Sequence, residues 1–193
     1  NYPKVNVHIE YLNPERIYEL VLSGDVDIGV VAVPKRDKRL EVYDFEQEPL
    51  VLVCSTQHIL ADEKEIDIHK VSFDRFIAFE KGVPTRILID GILQKYNIVV
   101  HPIMEFDNIE IIKRAVEINS GISIVPRTAI EQELAIGTLT AIEFTNEKFY
   151  RPTILVAFNE NTGKGSGRSI KNFHLFDALS KCKDHLIEFG GHE

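Results

Sequence analysis

The sequence predicts an α/β fold of two lobes, and three observations carry that expectation. Short apolar strands alternate with helix patterns along most of the 193 residues, which implies a mostly parallel sheet with helices on both faces. "VDIGVVAV" (26–33) and "PLVLVCS" (49–55) are nearly unbroken apolar runs, the mark of strands covered on both sides. Strands near 49–55 and 153–158 bracket a central block with its own β-α-β-α-β order. The two ends of the chain then form one lobe, 1–48 with 153–193, and the middle forms the other, 49–152. Two crossing strands join them and enclose a cleft.

Taken in order, Val5, Val7 and Ile9 alternate with polar residues as a strand does. Asn13-Pro14-Glu15 then supplies a helix cap, a proline at the first helical position and an acid in the first turn. Ile17, Leu20 and Val21 give the apolar stripe, and Gly24 ends the helix before the strand 26–33. "KRDKR" (35–39) is a charged loop, interrupted by Asp37 and flanked by acids. After the strand 49–55, "EKEIDIHKVSFDRF" reads as loop and short helix leading into the strand FIAF (76–79).

A Gly82-Val83-Pro84-Thr85-Arg86 turn follows, then a helix over about 86–96 and a strand over 100–106. Asp107-Asn108 caps a helix over about 109–119, with Ile112, Ala115, Val116 and Ile118 facing inward. Gly121 ends it, 122–125 is a strand, and a turn at Pro126 leads to a helix over about 128–135. Strands at 139–144 and 153–158 follow, then a flexible Gly-rich loop and a long amphipathic helix over 169–189.

Composition narrows the function. A net charge of −8 is opposed to a nucleic-acid footprint of the chain's own, which needs a basic face, and to an anionic membrane surface as partner. Two cysteines, Cys54 and Cys182, make no disulfide framework and suit a reducing cytoplasm. Neither a signal segment nor an apolar run near twenty residues is present.

Catalytic and cofactor patterns are missing. "GKGSGRS" (163–169) fails both the P-loop spacing and G-x-G-x-x-G, with Arg168 at the third glycine position. Cys182 and His185 stand three apart on the terminal helix without a second pair at ligand spacing, so no metal is implied. No nucleophile elbow, paired carboxylates or Cys/His arrangement stands out. An enzyme is not required, and no cofactor is expected.

What remains are the helix starts. In an open α/β sheet ligands bind beyond the carboxyl ends of strands, where unpartnered helix N–H groups point outward. Asn13-Pro14, Gly82 to Arg86 and Asp107-Asn108 are three such turns. Thr85 offers a hydroxyl, and Arg86 a charged fork suited to a carboxylate or sulfate. The plainer alternative has Thr85 capping its helix and Arg86 lying on the surface.

Residues 2–31, "YPKVNVHIEYLNPERIYELVLSGDVDIGVV", resemble the regulatory lobe of LysR-type transcriptional regulators. "EPLVLVCSTQHILA" (48–61) is similar to that family's strand and His-x-Leu-Ala step. "FDNIEIIKRAVEINSGISIVPRTAIEQELAIGTLTAI" (106–142) is similar to its helix, glycine segment and Gly-x-Leu strand, with Ser123 at the second glycine position. The resemblance implies a two-lobed, type II periplasmic-binding-protein-like fold that senses a small molecule between its lobes. It implies a winged helix-turn-helix before this domain, through which alone DNA is bound, and a first strand and helix of the domain upstream of Tyr2; nothing in the chain matches either. It implies homodimers or homotetramers in the cytoplasm.

Carried over by position, the ligand residues are Asn13, Ala32, Glu80, Lys81, Gly82, Pro84, Thr85, Arg86 and Asn108. Ala32 stands where a relative can offer a hydroxyl, and its methyl cannot donate a hydrogen bond. Helix starts and Arg86 favour negative charge, so the implied effector is a small anion. A solute-binding protein for transport shares the fold and is the alternative expectation.

Overall fold

The side chain of Asn13 accepts a hydrogen bond from the N–H of Arg16 at 2.8 Å and so starts the first helix. The computed structural model describes residues 8–32 and 37–158. Helix α1 spans Pro14–Ser23, and strand β1, Ile28–Ala32, follows the Gly24 stop. Then come β2 (Leu40–Ser55), β3 (Glu65–Ile66), a 3-10 helix at Ile68–Phe73 and β4 (Ile77–Phe79). Helix α2 (Pro84–Lys95), β5 (Met104–Phe106), α3 (Ile109–Glu117) and β6 (Ser123–Pro126) continue the chain. A 3-10 turn leads into α4 (Glu131–Ile136), and β7 (Leu139–Phe144) and β8 (Phe149–Phe158) complete the described part. The strand expected at Val5 and Val7, the Gly-rich loop, the 169–189 helix and the Cys182/His185 pair lie outside the described residues.

Two compact units result, one of residues 1–46 with 152–193 and one of Gln47–Arg151, and β2 and β8 each run from one into the other. In the first unit β1 pairs antiparallel with β8, Val30 opposite Leu155. Its core is Tyr18 and Val21 of α1 packed with Val31, Leu40, Ile154 and Val156. In the second unit Leu52 and Val53 of β2, Ile77, Ile89, Ile112, Ile124 and Ile142 are among the residues of one larger core.

The expectation of a mostly parallel sheet is corrected. β4–β5 and β3–β7 are parallel, whereas β1–β8, β2–β6 and β2–β7 are antiparallel. Helices do separate parallel partners, as α2 separates β4 from β5. The long β2 then inserts between β6 and β7 in the opposite direction. Local βαβ patterning carries no information about a strand that arrives from far upstream, as Leu52 does opposite Ile124.

Other boundaries move for local reasons. β2 begins at Leu40 and not near 49: the acidic stretch "EVYDFEQE" is strand too, with Tyr43 and Phe45 half-buried beside exposed Asp44 and Glu46. The strand expected over 100–106 is reduced to Met104–Phe106, since Pro102 has no N–H to offer a ladder. Ile112, Ala115 and Val116 of α3 are buried as expected, but Ile118 is exposed at the helix C-cap, and Lys113 is buried in addition.

Gly121 is fixed by close approach. A Cβ there would stand 2.2 Å from the carbonyl oxygen of Arg75, which already accepts from Ile122 N–H at 2.8 Å and cannot retreat. Gly121→Ala is therefore expected to destabilise by about 2 kcal/mol or more, read as a lower urea midpoint at unchanged slope. Gly91, on the exposed side of α2 with no atom within 4 Å of an added Cβ, gives the opposite result. Gly91→Ala is expected to raise stability by about 0.5–1 kcal/mol.

Candidate functional site

Parallel strands β4 and β5 end side by side, and the backbone holds the chain beyond them together. The N–H of Glu80 donates to Phe106 O at 2.8 Å, which sets the 80–86 turn beside the segment that enters α3 at Asn108. Glu80, Lys81 and Gly82 are exposed, and Gly82 has φ +96°, which an L side chain tolerates poorly. The second unit thus gathers seven of the nine expected residues at the carboxyl ends of two parallel strands, the usual ligand side of such a sheet. Asn13 and the half-buried Ala32, at the end of β1, belong to the first unit.

The starts of the three longer helices differ. Asn13 caps α1, and Asn108 caps α3 by accepting from Glu110 N–H at 2.8 Å. At α2 the cap position is Val83, whose side chain makes no hydrogen bond. The first intrahelical bond there runs from Ile87 N–H to Val83 O at 3.1 Å. The N–H groups of Thr85 and Arg86 precede it, and Pro84 has none, so this turn presents two donors at the positive end of a helix dipole.

For Thr85 and Arg86 the plainer alternative is corrected. Thr85 does not cap its helix; it is buried, and its Oγ1 accepts from Arg151 Nη1 at 3.2 Å. The Arg86 guanidinium is buried rather than on the surface. It donates to Phe79 O at 2.6 Å, to Glu105 at 2.7 Å and to both oxygens of Asp90 at 2.8 and 2.9 Å. Burial works against its charge, but the hydrogen bonds and charges of Glu105 and Asp90 more than offset this and hold its pKa above the usual value. A buried guanidinium needs acceptors, and these bonds make Arg86 a residue that places the turn.

Sequence reasoning passed over two groups. Arg151 stands before Pro152 with no motif around it, yet its Nε donates to Glu48 at 2.8 Å and Nη2 reaches the same oxygen. Cys54, His58 and Asp74 gather although twenty residues separate the outer two. His58 Nε2 lies 3.3 Å from Asp74, and its Nδ1 accepts from Leu60 N–H. Burial first, and the Asp74 charge second, push the Cys54 thiol up to about 11, so it stays protonated.

The model of the LysR substrate binding domain family matches residues 1–162. The chain belongs to that family. A "Probable RuBisCO transcriptional regulator" of Thalassiosira pseudonana is 32% identical over 184 residues, 91% of this chain and 58% of that protein. The chain thus spans little more than half the length of such a relative. Among solved structures, the Synechocystis PCC6803 CcmR regulatory domain in complex with 2-PG superposes with TM-score 0.69 at 22% identity, covering 89% of this chain and 77% of that one. The QuiR effector binding domain in complex with shikimate gives TM-score 0.73 at 20% identity, covering 90% and 80%. The fold is that of LysR effector-binding domains, type II periplasmic-binding-like, and the family match decides against a transport solute receptor. The family is one of transcriptional regulators.

Two outcomes follow. Arg86→Ala leaves Phe79 O, Glu105 and Asp90 without their donor and is expected to cost about 2–4 kcal/mol in the ligand-free protein, measured by urea unfolding. Cys54 is expected to resist iodoacetamide at pH 8 in the native protein and to label fully in denaturant, as read peptide by peptide in a mass spectrum.

Proposed function

We propose that this chain is the effector-sensing domain of a LysR-type transcriptional regulator, and that its effector is a small anion received where α2 begins. The family match over residues 1–162 supports the sensing role. The open start of α2 supports the anion: alone among the three longer described helices, it has no side-chain acceptor of its own. In this reading the N–H groups of Thr85 and Arg86 and the Thr85 hydroxyl donate, and the exposed Lys81 adds charge. Gly82 and Pro84 shape the turn, and Glu80 and Asn108 form its rim. Asn13 and Ala32 are the corresponding candidates in the first unit. Shikimate, which the QuiR domain holds in its complex, is a carboxylate and fits the same chemistry.

DNA is reached through a helix-turn-helix domain of the whole regulator, effector binding biases how its dimers or tetramers present that domain, and the work is done in the cytoplasm without catalysis. None of the described helices is long and apolar enough to cross a membrane.

Thermal titration with sulfate, phosphate and shikimate, against potassium chloride at equal ionic strength, tests the site. One of the three is expected to raise the melting temperature saturably, by about 5–10 °C at a hundredfold excess over its Kd. Lys81→Ala is expected to weaken that anion about three- to tenfold while leaving the ligand-free melting temperature unchanged. No rise beyond the chloride control would remove the anion from this reading.

A further inference from the structure

Arg151 and Glu48 sit where the chain enters and leaves the second unit, which runs Gln47–Arg151. Glu48 is midway along β2 and Arg151 near the start of β8, 103 residues apart, and their ion pair ties the two strands at the limits of the second unit. Both side chains are largely buried, 14% and 24% exposed, so the pair is not loosely solvated. The network continues on both sides. The other oxygen of Glu48 accepts from the Thr128 hydroxyl at 2.7 Å, and Arg151 Nη1 reaches Thr85 Oγ1 at 3.2 Å.

Thr85 is the second residue of α2, only 3% exposed. Its hydroxyl has one hydrogen and two lone pairs. Arg151 takes a lone pair, so the hydrogen remains to donate, next to the residue's own open N–H. A hydroxyl that donates to an anion becomes a better acceptor, because hydrogen bonds in a chain polarise one another. The anion's charge attracts the guanidinium in the same direction. The 3.2 Å contact is the longest of the hydrogen bonds drawn here for Arg151 and has the most room to tighten.

We propose that Arg151 is a positioning residue that couples anion occupancy at the start of α2 to the two strands where they leave the second unit, through the chain Thr85–Arg151–Glu48. This rests on the reading of the α2 start as the effector site. Occupancy shortens the Thr85–Arg151 bond, draws Arg151 and Glu48 into firmer register and stiffens β2 and β8 at residues 47–51 and 149–153. Lysine in place of Arg151 keeps the charge but lacks the planar fork that serves Thr85 and Glu48 together. Thr85→Val keeps the volume and removes the relay atom.

The experiment is hydrogen–deuterium exchange on the whole chain, with and without saturating sulfate, phosphate or shikimate, on wild type, Arg151→Lys and Thr85→Val. In wild type the anion that protects 80–87 is expected to slow exchange at 47–51 and 149–153 about fivefold, a change in local opening. In both variants that distant slowing is expected to vanish while 80–87 are still protected at higher anion concentration. Equal slowing in Arg151→Lys and wild type overturns the coupling and leaves the effector site standing. An absence of protection at 80–87 in wild type for all three anions overturns the site and the coupling together.

Discussion

A buried guanidinium has to be satisfied where it lies, and Arg86 is satisfied by acceptors from three elements: the last carbonyl of β4, Glu105 of β5 and Asp90 one turn along α2. Its charge cannot be shed by deprotonation, so the elements conform to it. The first turn of α2 is therefore fixed against the carboxyl ends of both strands. Removing either acid leaves a charge in a dry place, which costs far more than the pair contributes beyond an apolar equivalent. In the proposed reading the donors of this turn are oriented before the anion arrives, which lowers the ordering cost of binding.

The second unit repeats the device. Lys113 of α3, 7% exposed, donates to Ala129 O at 3.1 Å and pairs with Glu110 at 2.8 Å and Glu133 at 3.0 Å, which locks α3 to the start of α4. Burial lowers its pKa, and the two glutamates raise it by more, so Lys113 stays charged. Three internal cations, Arg86, Lys113 and Arg151, thus each tie separate elements of one unit. Lys81, on the turn at α2, is exposed and makes none of these ties. A protein of net charge −8 attracts an anion only through a local arrangement of this kind.

What the sequence made legible was local chemistry. Asn13-Pro14, Gly24 and Asn108 announce helix ends because a cap and its partner lie within four residues of each other. The β-α step into α2 was legible for the same reason, and with it the place of the candidate site. The wider ties of Arg86 and Arg151 were not, since Glu105 lies 19 residues from Arg86, and Thr85 and Glu48 lie 66 and 103 from Arg151. Side-chain chemistry alone suggests a charged fork for Arg86, and only tertiary neighbours reveal that its Nε and Nη1 are bound by Asp90, Phe79 O and Glu105. The antiparallel insertion of β2 escaped for the same reason: strand alternation predicts a strand and says nothing of which strands flank it.

The central claim is that Arg86 fixes an α2 start whose open donors receive an anion. Backbone amide NMR during titration with sulfate, phosphate or shikimate addresses it most directly. The account predicts that the amide resonances of Thr85 and Arg86 shift furthest and saturate together, while the guanidinium resonance of Arg86 keeps its ligand-free position. Saturable binding that leaves both amides in place, or that moves the Arg86 guanidinium instead, would contradict it.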